Sequence, residues 1–107
     1  MVKVISTVPA YRAMAAIEDE HDRQDAWMRL YESAHEDVFA RYYSSWGRTE
    51  CRVGAAGIAP QLVATIEARE RRMRAVLASM NGKLAEHGVE ADDLEAVLMV
   101  GGHTSNG

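Results

Sequence analysis

The length of 107 residues suits one domain with a modest hydrophobic core. A hydrophobic fraction of 48% and a charged fraction of 26% are ordinary for a globular protein, so the composition argues against a disordered chain. The net charge of −4 lacks the basic footprint of a nucleic-acid binder and disfavours docking on anionic lipid, so we expect no nucleic acid and no membrane among the partners.

The cysteine content and the first residues indicate the compartment. Cys51 is the one cysteine, so the sequence forms no internal disulfide and no cysteine-based zinc cluster, which fits a reducing compartment. The apolar run before Pro9 is too short for a signal peptide, and no stretch approaches the roughly 20 apolar residues of a membrane helix. We therefore expect a cytoplasmic chain whose residues 1–107 form one domain, or the N-terminal part of a larger one.

The first elements are a short strand and a helix. Residues Val2–Val8 are rich in β-branched side chains, which predicts a strand. Thr7 offers an N-cap oxygen and Pro9 suits a first helical turn, so a helix is expected from about Pro9 to Ile17. Asp22 is the expected cap of a second helix.

The second helix and a third helical run carry aromatic residues at helical spacing. Ser33 and Glu36 form a capping-box pattern between them, and Gly47 is the expected stop of the third run. The apolar positions of these helices are Trp27, Leu30, Tyr31, Ala34, Val38, Phe39, Tyr42, Tyr43 and Trp46.

The second half of the chain predicts a loop, a long helix and a strand. Residues 48–59 show little periodicity and read as the longest loop, after which Pro60 opens the longest helix. Gly82 predicts a bend or an end near Asn81, and Gly88 is the expected terminator. The run Ala96–Val100 is short and continuously apolar, which favours a buried strand.

Together these elements predict a mainly helical α+β fold. It has about four helices and a minor two-strand element formed by Val2–Val8 and Ala96–Val100. Either these two strands pair with each other, or the final strand pairs with another chain.

No complete catalytic or metal motif is present. The run from His35 to Phe39 begins like the zinc-peptidase motif HExxH, but Phe39 stands where the second zinc histidine belongs, and a core role is expected for it. We therefore predict no catalytic residue, no metal ligand and no bound cofactor in this chain. The arginines between positions 69 and 74 alternate with glutamates and are expected on a solvated face with ion pairs.

Two groups of residues are candidate binding positions. Helical spacing of aromatic residues is typical of a core, although their polar edges leave a groove open as the alternative; the candidates are Trp27, Tyr31, Tyr42, Tyr43 and Trp46. The glycine-rich run that follows the last strand could approach a partner or a substrate closely, or it could be an unstructured terminus; its candidates are Gly101, Gly102, His103 and Asn106.

The order of these segments resembles the N-terminal region of a family of bacterial predicted zinc-dependent peptidases of the HExxH class. The resemblance rests on residues 4–11, 25–31, 35–43 and 96–107. It implies that the zinc ligands and the glutamate base lie on a later helix, so this region would be catalytically incomplete by itself. It also implies that residues 101–107 follow a strand near the substrate cleft, and that zinc binds only where a separate HExxH segment exists.

The residues also allow a second hypothesis, a non-catalytic helical interaction module. Its partner would be another protein chain or a second copy, paired through the strands. A small-ligand binder that uses the aromatic residues is a third hypothesis. Whether the protein is an enzyme stays open.

Overall fold

The structure, a computed structural model, describes residues 2–89, 92 and 94–102. Its strands are β1 (Lys3–Ser6) and β2 (Glu95–Leu98). Its α-helices are α1 (Val8–Ala15), α2 (Glu20–Ala26), α3 (Glu36–Ser45) and α4 (Arg52–Glu86). A π-helical segment (Trp27–Glu32) and a 3-10 turn (Ser33–His35) lie between α2 and α3, and a second 3-10 turn (Thr49–Cys51) precedes α4.

The mainly helical fold with a two-stranded sheet is confirmed, but the helices join differently from the prediction. In the described part of the chain the helical residues form three runs, 8–15, 20–45 and 49–86, where about four separate helices were expected. The π-helical segment and the 3-10 turn connect α2 to α3 without a loop. The chain changes direction at His35, whose φ of −142° and ψ of 55° leave the helical region.

The caps also differ from the prediction. The Asp19 carboxylate caps α2 by accepting a hydrogen bond from the backbone N–H of Asp22, at 2.9 Å. Ser33 caps no helix, because its hydroxyl donates to the carbonyl of Arg29 one turn earlier. Thr7 precedes α1 without a side-chain cap and turns its hydroxyl into the core instead.

The two strands pair with each other, in parallel. Lys3 lies opposite Glu95 and Ser6 lies opposite Leu98. The Lys3 N–H donates to the Leu94 carbonyl at 3.0 Å, and the Thr7 N–H donates to the Leu98 carbonyl at 2.8 Å. Because the strands are parallel, both carboxyl ends lie at the same edge of the sheet.

The long helix α4 begins eight residues before Pro60, so the predicted loop at 48–59 is wrong. Pro60 has no N–H to donate to the carbonyl of Ala56 one turn earlier. The buried guanidinium of Arg23 supplies that donor, with Nε at 2.7 Å from the Ala56 oxygen. Small residues on the same stretch of α4 let α2 approach closely; they are Ala55, Ala56 and Ala59, all buried.

The far end of α4 continues through Gly82 to Glu86, so the expected bend or end near Asn81 does not occur. Gly88 has a φ of 70°, a conformation that favours glycine, which confirms it as the terminator. The β1 strand is fastened to this half of α4. The Val2 N–H donates to Asn81 Oδ1 at 2.8 Å, and the Ser6 hydroxyl donates to the Glu70 carboxylate.

Aromatic rings in edge-to-face contact form the centre of the core. Tyr31 contacts Tyr11, Trp27 and Phe39 at centroid distances of 5.4, 4.9 and 4.8 Å. Such pairs contribute beyond their buried area. Tyr31 is fully buried, and α1, the π-helical segment and α3 therefore pack together around it.

No helix among the described residues is both long enough and apolar enough to cross a membrane.

Candidate functional site

The candidate site lies where the chain leaves β2, at the carboxyl ends of the two parallel strands. Residues 99–102 follow β2 and run past the ends of two tyrosine side chains, Tyr31 and Tyr42. In open sheets with parallel strands, ligands bind beyond this edge.

Tyr31 fixes the backbone of Val100. Its hydroxyl accepts a hydrogen bond from the Val100 N–H and donates one to the Val100 carbonyl, both at 2.7 Å. The Thr7 hydroxyl lies 3.0 Å from the Tyr31 hydroxyl and 3.0 Å from the Leu98 carbonyl. The tyrosine hydroxyl thus occupies the place where β1 would have provided the next backbone partner. Burial raises the pKa of Tyr31 above its ordinary value, so the phenol is neutral at physiological pH.

Tyr42 fixes the backbone two residues farther along the chain, at Gly102. Its hydroxyl accepts a hydrogen bond from the Gly102 N–H at 2.8 Å. A Cβ atom on Gly101 would lie 2.6 Å from this hydroxyl, and one on Gly47 would lie 2.2 Å from the ring. Glycine is therefore required on both sides of Tyr42 because any side chain would displace it.

Two of the four predicted glycine-run residues, Gly101 and Gly102, are thus held against the helical core. Gly102 is buried, and a Cβ there would approach the Cβ of Cys51 at 3.3 Å. The other two candidates, His103 and Asn106, lie outside the described residues. The arrangement presents a short, tightly held backbone segment at the carboxyl edge of the sheet.

A second polar cluster is centred on the buried carboxylate of Glu32. Its Oε2 accepts hydrogen bonds from Trp27 Nε1 at 2.7 Å, from the Tyr43 hydroxyl at 2.5 Å and from Arg52 Nε at 2.8 Å. Its Oε1 accepts from Arg52 Nη2 at 2.7 Å, so the ion pair is bidentate. The Arg52 guanidinium also lies 4.8 Å from the centre of the Tyr43 ring.

The π-helical geometry makes this cluster possible. Residues five apart lie above one another in a π-helix, and Trp27 and Glu32 are five apart. Burial raises the pKa of Tyr43, and the neighbouring Glu32 carboxylate adds to the increase. Glu32 in turn raises the pKa of Arg52, so the guanidinium stays charged. Each Glu32 oxygen is satisfied within the cluster, which indicates a structural role for it.

A shallow cavity of about 320 Å³ lies beside the Glu32 cluster. Its lining mixes acidic, aromatic and apolar side chains and includes Met28, Glu36, Phe39, Tyr43 and Arg52.

The five aromatic candidates are divided by the fold. Trp27, Tyr31 and Tyr42 are buried in the core, Tyr43 is half-buried and lines the cavity, and Trp46 is 67% exposed. Phe39, which stands where HExxH would have its second histidine, is buried, and this confirms the core role expected for it. Among the described residues, no group of three or more histidine, cysteine or carboxylate side chains could hold a metal ion.

The sequence reading missed Arg23, Glu32 and Arg52. An arginine or glutamate in a charged run predicts a solvated face, and neither residue type has a pattern that marks it as buried. One usable signal was the five-residue spacing of Trp27 and Glu32, which becomes meaningful only once a π-helix is considered.

Comparison with protein-family models, with curated proteins and with solved structures finds no match to this chain.

Proposed function

We propose that this chain is the helical N-terminal region of a zincin-like peptidase, catalytically incomplete by itself. The observation that supports the proposal is the held backbone of Gly101 and Gly102 at the carboxyl edge of the parallel strands. A two-stranded parallel sheet is rare by itself, because parallel sheets normally have more strands and are covered on both faces. The proposal explains this feature as one side of a sheet that a further segment completes.

In this proposal the chain positions the backbone segment after β2, and a separate HExxH segment binds zinc and provides the glutamate base. Tyr31 and Tyr42 hold the segment after β2 in place, which fixes Val100 and Gly102 at the edge of the proposed cleft. The buried hydroxyls of both tyrosines are used in this contact and take no part in hydrolysis.

The test compares the 107 residues alone with the same chain continued through its reading frame or combined with its copurifying partner. Metal analysis after dialysis against zinc should give far less than one zinc per chain for the 107 residues. The completed protein should bind one zinc and hydrolyse casein. In the completed protein, Tyr42→Phe should lower hydrolysis while the zinc content stays unchanged, and Ser44→Ala, on the exposed side of α3, is the matched control.

Stoichiometric zinc with hydrolysis by the 107 residues alone would overturn the proposal. A completed protein that carries neither zinc nor an HExxH segment would also overturn it.

The second candidate is a non-catalytic interaction module that adds a strand from another chain, and it is favoured by the outer edge of β2, which pairs with no further strand among the described residues. Because the Leu94 and Leu98 carbonyls face β1, the backbone of Val97 faces away from it. In this case Val97→Pro would remove an outward donor and abolish self-association or partner binding. A monomer in sedimentation at all concentrations, with no partner recovered, would exclude this candidate.

A further inference from the structure

One face of α4 is exposed along four turns and is both apolar and basic. Its apolar members are 51%, 66% and 37% exposed, in chain order, which is unusual for large apolar side chains on a helix that packs elsewhere. The spacings of three, one, three, four and three residues place all the members on one side of the helix. This α4 outer face consists of Arg69, Arg72, Met73, Val76, Met80 and Lys83.

The acidic residues of the same helix segment face the body of the molecule. Glu67 accepts a hydrogen bond from Arg12 Nε of α1 at 2.9 Å, and Glu70 accepts one from Ser6 of β1. Their charges are therefore directed toward α1 and the sheet and away from the outer face. The sequence-based expectation that these glutamates pair with the neighbouring arginines holds for Arg74 and Glu70, at 3.6 Å.

Among the residues that the structure describes, the cations of the α4 outer face lack such a partner. Within the described residues, no carboxylate lies at ion-pair distance from Arg69, Arg72 or Lys83. An apolar row bordered by these three cations is complementary to an apolar row bordered by carboxylates. The face spans roughly 15 residues, or about 21 Å of helix, which matches four turns of a partner helix.

We propose that the α4 outer face binds an amphipathic helix of a partner protein whose apolar row is flanked by glutamate or aspartate. A second copy of the same helix is a poor occupant, because it would place arginine and lysine against arginine and lysine. An anionic membrane is disfavoured by the net charge of −4 and by an apolar row of only three residues without aromatic side chains. This proposal is independent of the zincin-like function, since the face lies on α4 and includes no residue of the candidate site.

The test uses two synthetic helical peptides of three heptads, both with leucine at the a and d positions. One carries glutamate at the e and g positions and the other carries lysine there. Fluorescence anisotropy at low ionic strength should show that the acidic peptide binds at least roughly threefold more tightly than the basic one, because three exposed opposite-charge contacts replace three like-charge contacts. The preference should decrease as salt is added.

Matched variants locate the binding. Val76→Glu places a carboxylate on the face and should weaken acidic-peptide binding by at least roughly tenfold. Ala78→Glu makes the same charge change on the opposite side of α4, where Ala78 is exposed, and should leave the affinity within about twofold. Circular dichroism of both variants should match that of the parent, since both positions are exposed.

Three results would overturn the proposal. The first is equal affinity for the acidic and basic peptides, and the second is equal loss in the Val76→Glu and Ala78→Glu variants. The third is binding to phosphatidylserine vesicles that Val76→Glu abolishes while the acidic peptide does not bind, which would identify a membrane as the occupant.

Discussion

Arg23 is a buried cation whose hydrogen-bond partners among the described residues are all backbone carbonyls. Besides the Ala56 oxygen beside Pro60, its guanidinium donates to the Ile17 carbonyl at 2.7 Å, just beyond the end of α1. A cation at the carboxyl end of a helix is favoured by the helix dipole. One side chain therefore fastens α1 to α4 and compensates for the proline inside α4.

Replacing Arg23 by Met should lower the free energy of unfolding by about 3 kcal/mol, because at least two carbonyls lose a charged donor. In a Pro60→Ala background the same change should cost roughly 1 kcal/mol less, since an alanine at position 60 has a backbone N–H to donate to the Ala56 carbonyl. Urea denaturation of the four proteins in this cycle measures the coupling. Additive effects of the two substitutions would show that Arg23 does not compensate for Pro60.

Tyr11 differs from the other core tyrosines because its buried hydroxyl has no hydrogen-bond partner among the described residues. A buried hydroxyl without a partner is destabilising. Tyr11→Phe keeps the ring contacts with Trp27 and Tyr31, so we expect it to raise the free energy of unfolding by about 1 kcal/mol. Tyr31→Phe is the contrasting variant, because it removes bonds to Val100 and should destabilise the protein. A Tyr11→Phe protein less stable than the parent would contradict this reading.

At the scale of single residues, the sequence predicts which apolar residues are buried but not which polar residues are buried. Phe39 was placed in the core from its spacing alone, and the structure agrees. Arg23 was not, because its burial depends on a carbonyl of α4 that Pro60 leaves without its usual donor, 33 positions away.

At the scale of the elements, glycines have opposite roles in α4 and after β2. A Cβ added at Gly82 meets open space, whereas one added at Gly101 meets the Tyr42 hydroxyl at 2.6 Å. Gly82 carries the usual cost of glycine inside a helix without a compensating contact.

We expect Gly82→Ala to raise the free energy of unfolding by about 1 kcal/mol. Gly101→Ala should lower it by roughly 1–3 kcal/mol, because Tyr42 must move or the segment must detach from it. Thermal unfolding measures both changes, and amide hydrogen exchange at Gly102 should accelerate in Gly101→Ala alone. Unchanged protection of Gly102 in that variant would contradict the proposed contact.

The types of the elements were largely predictable, whereas their boundaries were not. Gly88 and the strand run after it were identified from local signals that act over a few residues. The loop predicted at 48–59 failed because Pro60 was read as a helix start, which is its commonest position. The continuous path from α2 to α3 escaped prediction because a π-helical segment has no reliable sequence signal.

The whole molecule measures 50 × 28 × 22 Å, and α4 is the element that spans its length. The high helical content followed from the pattern. The pairing of the two strands with each other was one of two alternatives that the sequence left open, and the parallel direction could not be predicted, since the same two apolar runs could pair in either direction. The candidate site was located only in part. The glycine run was predicted as a candidate from its composition. The tyrosines that hold it were predicted as part of a different candidate, an aromatic groove.

The stability of the whole fold should fall at alkaline pH. Burial raises the pKa of Tyr11 to about 12 and that of Tyr31 above its ordinary value near 10. The contribution of these two tyrosines to the free energy of unfolding is complete below pH 10. It is lost as the pH rises toward their pKa values in the folded state, because the tyrosines of the unfolded chain ionise first. Each of the two tyrosines should lower the free energy of unfolding by about 1.4 kcal/mol per pH unit above roughly pH 10.

Urea denaturation at about pH 9, 10 and 11, which brackets the ordinary tyrosine pKa, measures this dependence. The Tyr11→Phe protein should lose less stability over the same interval. A free energy of unfolding that is constant across it would show that the two phenols ionise equally in both states.

The parallel pairing of β1 with β2 also sets the order of events during synthesis. Thr7 and Leu98, which bond across the sheet, lie 91 positions apart. At roughly 5–20 residues per second, a ribosome adds β2 on the order of 10 s after β1. The helices fold from local contacts in far less time, so α4 is complete while β1 still lacks its neighbour. The bonds of Val2 to Asn81 and of Ser6 to Glu70 then give the nascent strand a place on α4 before β2 arrives.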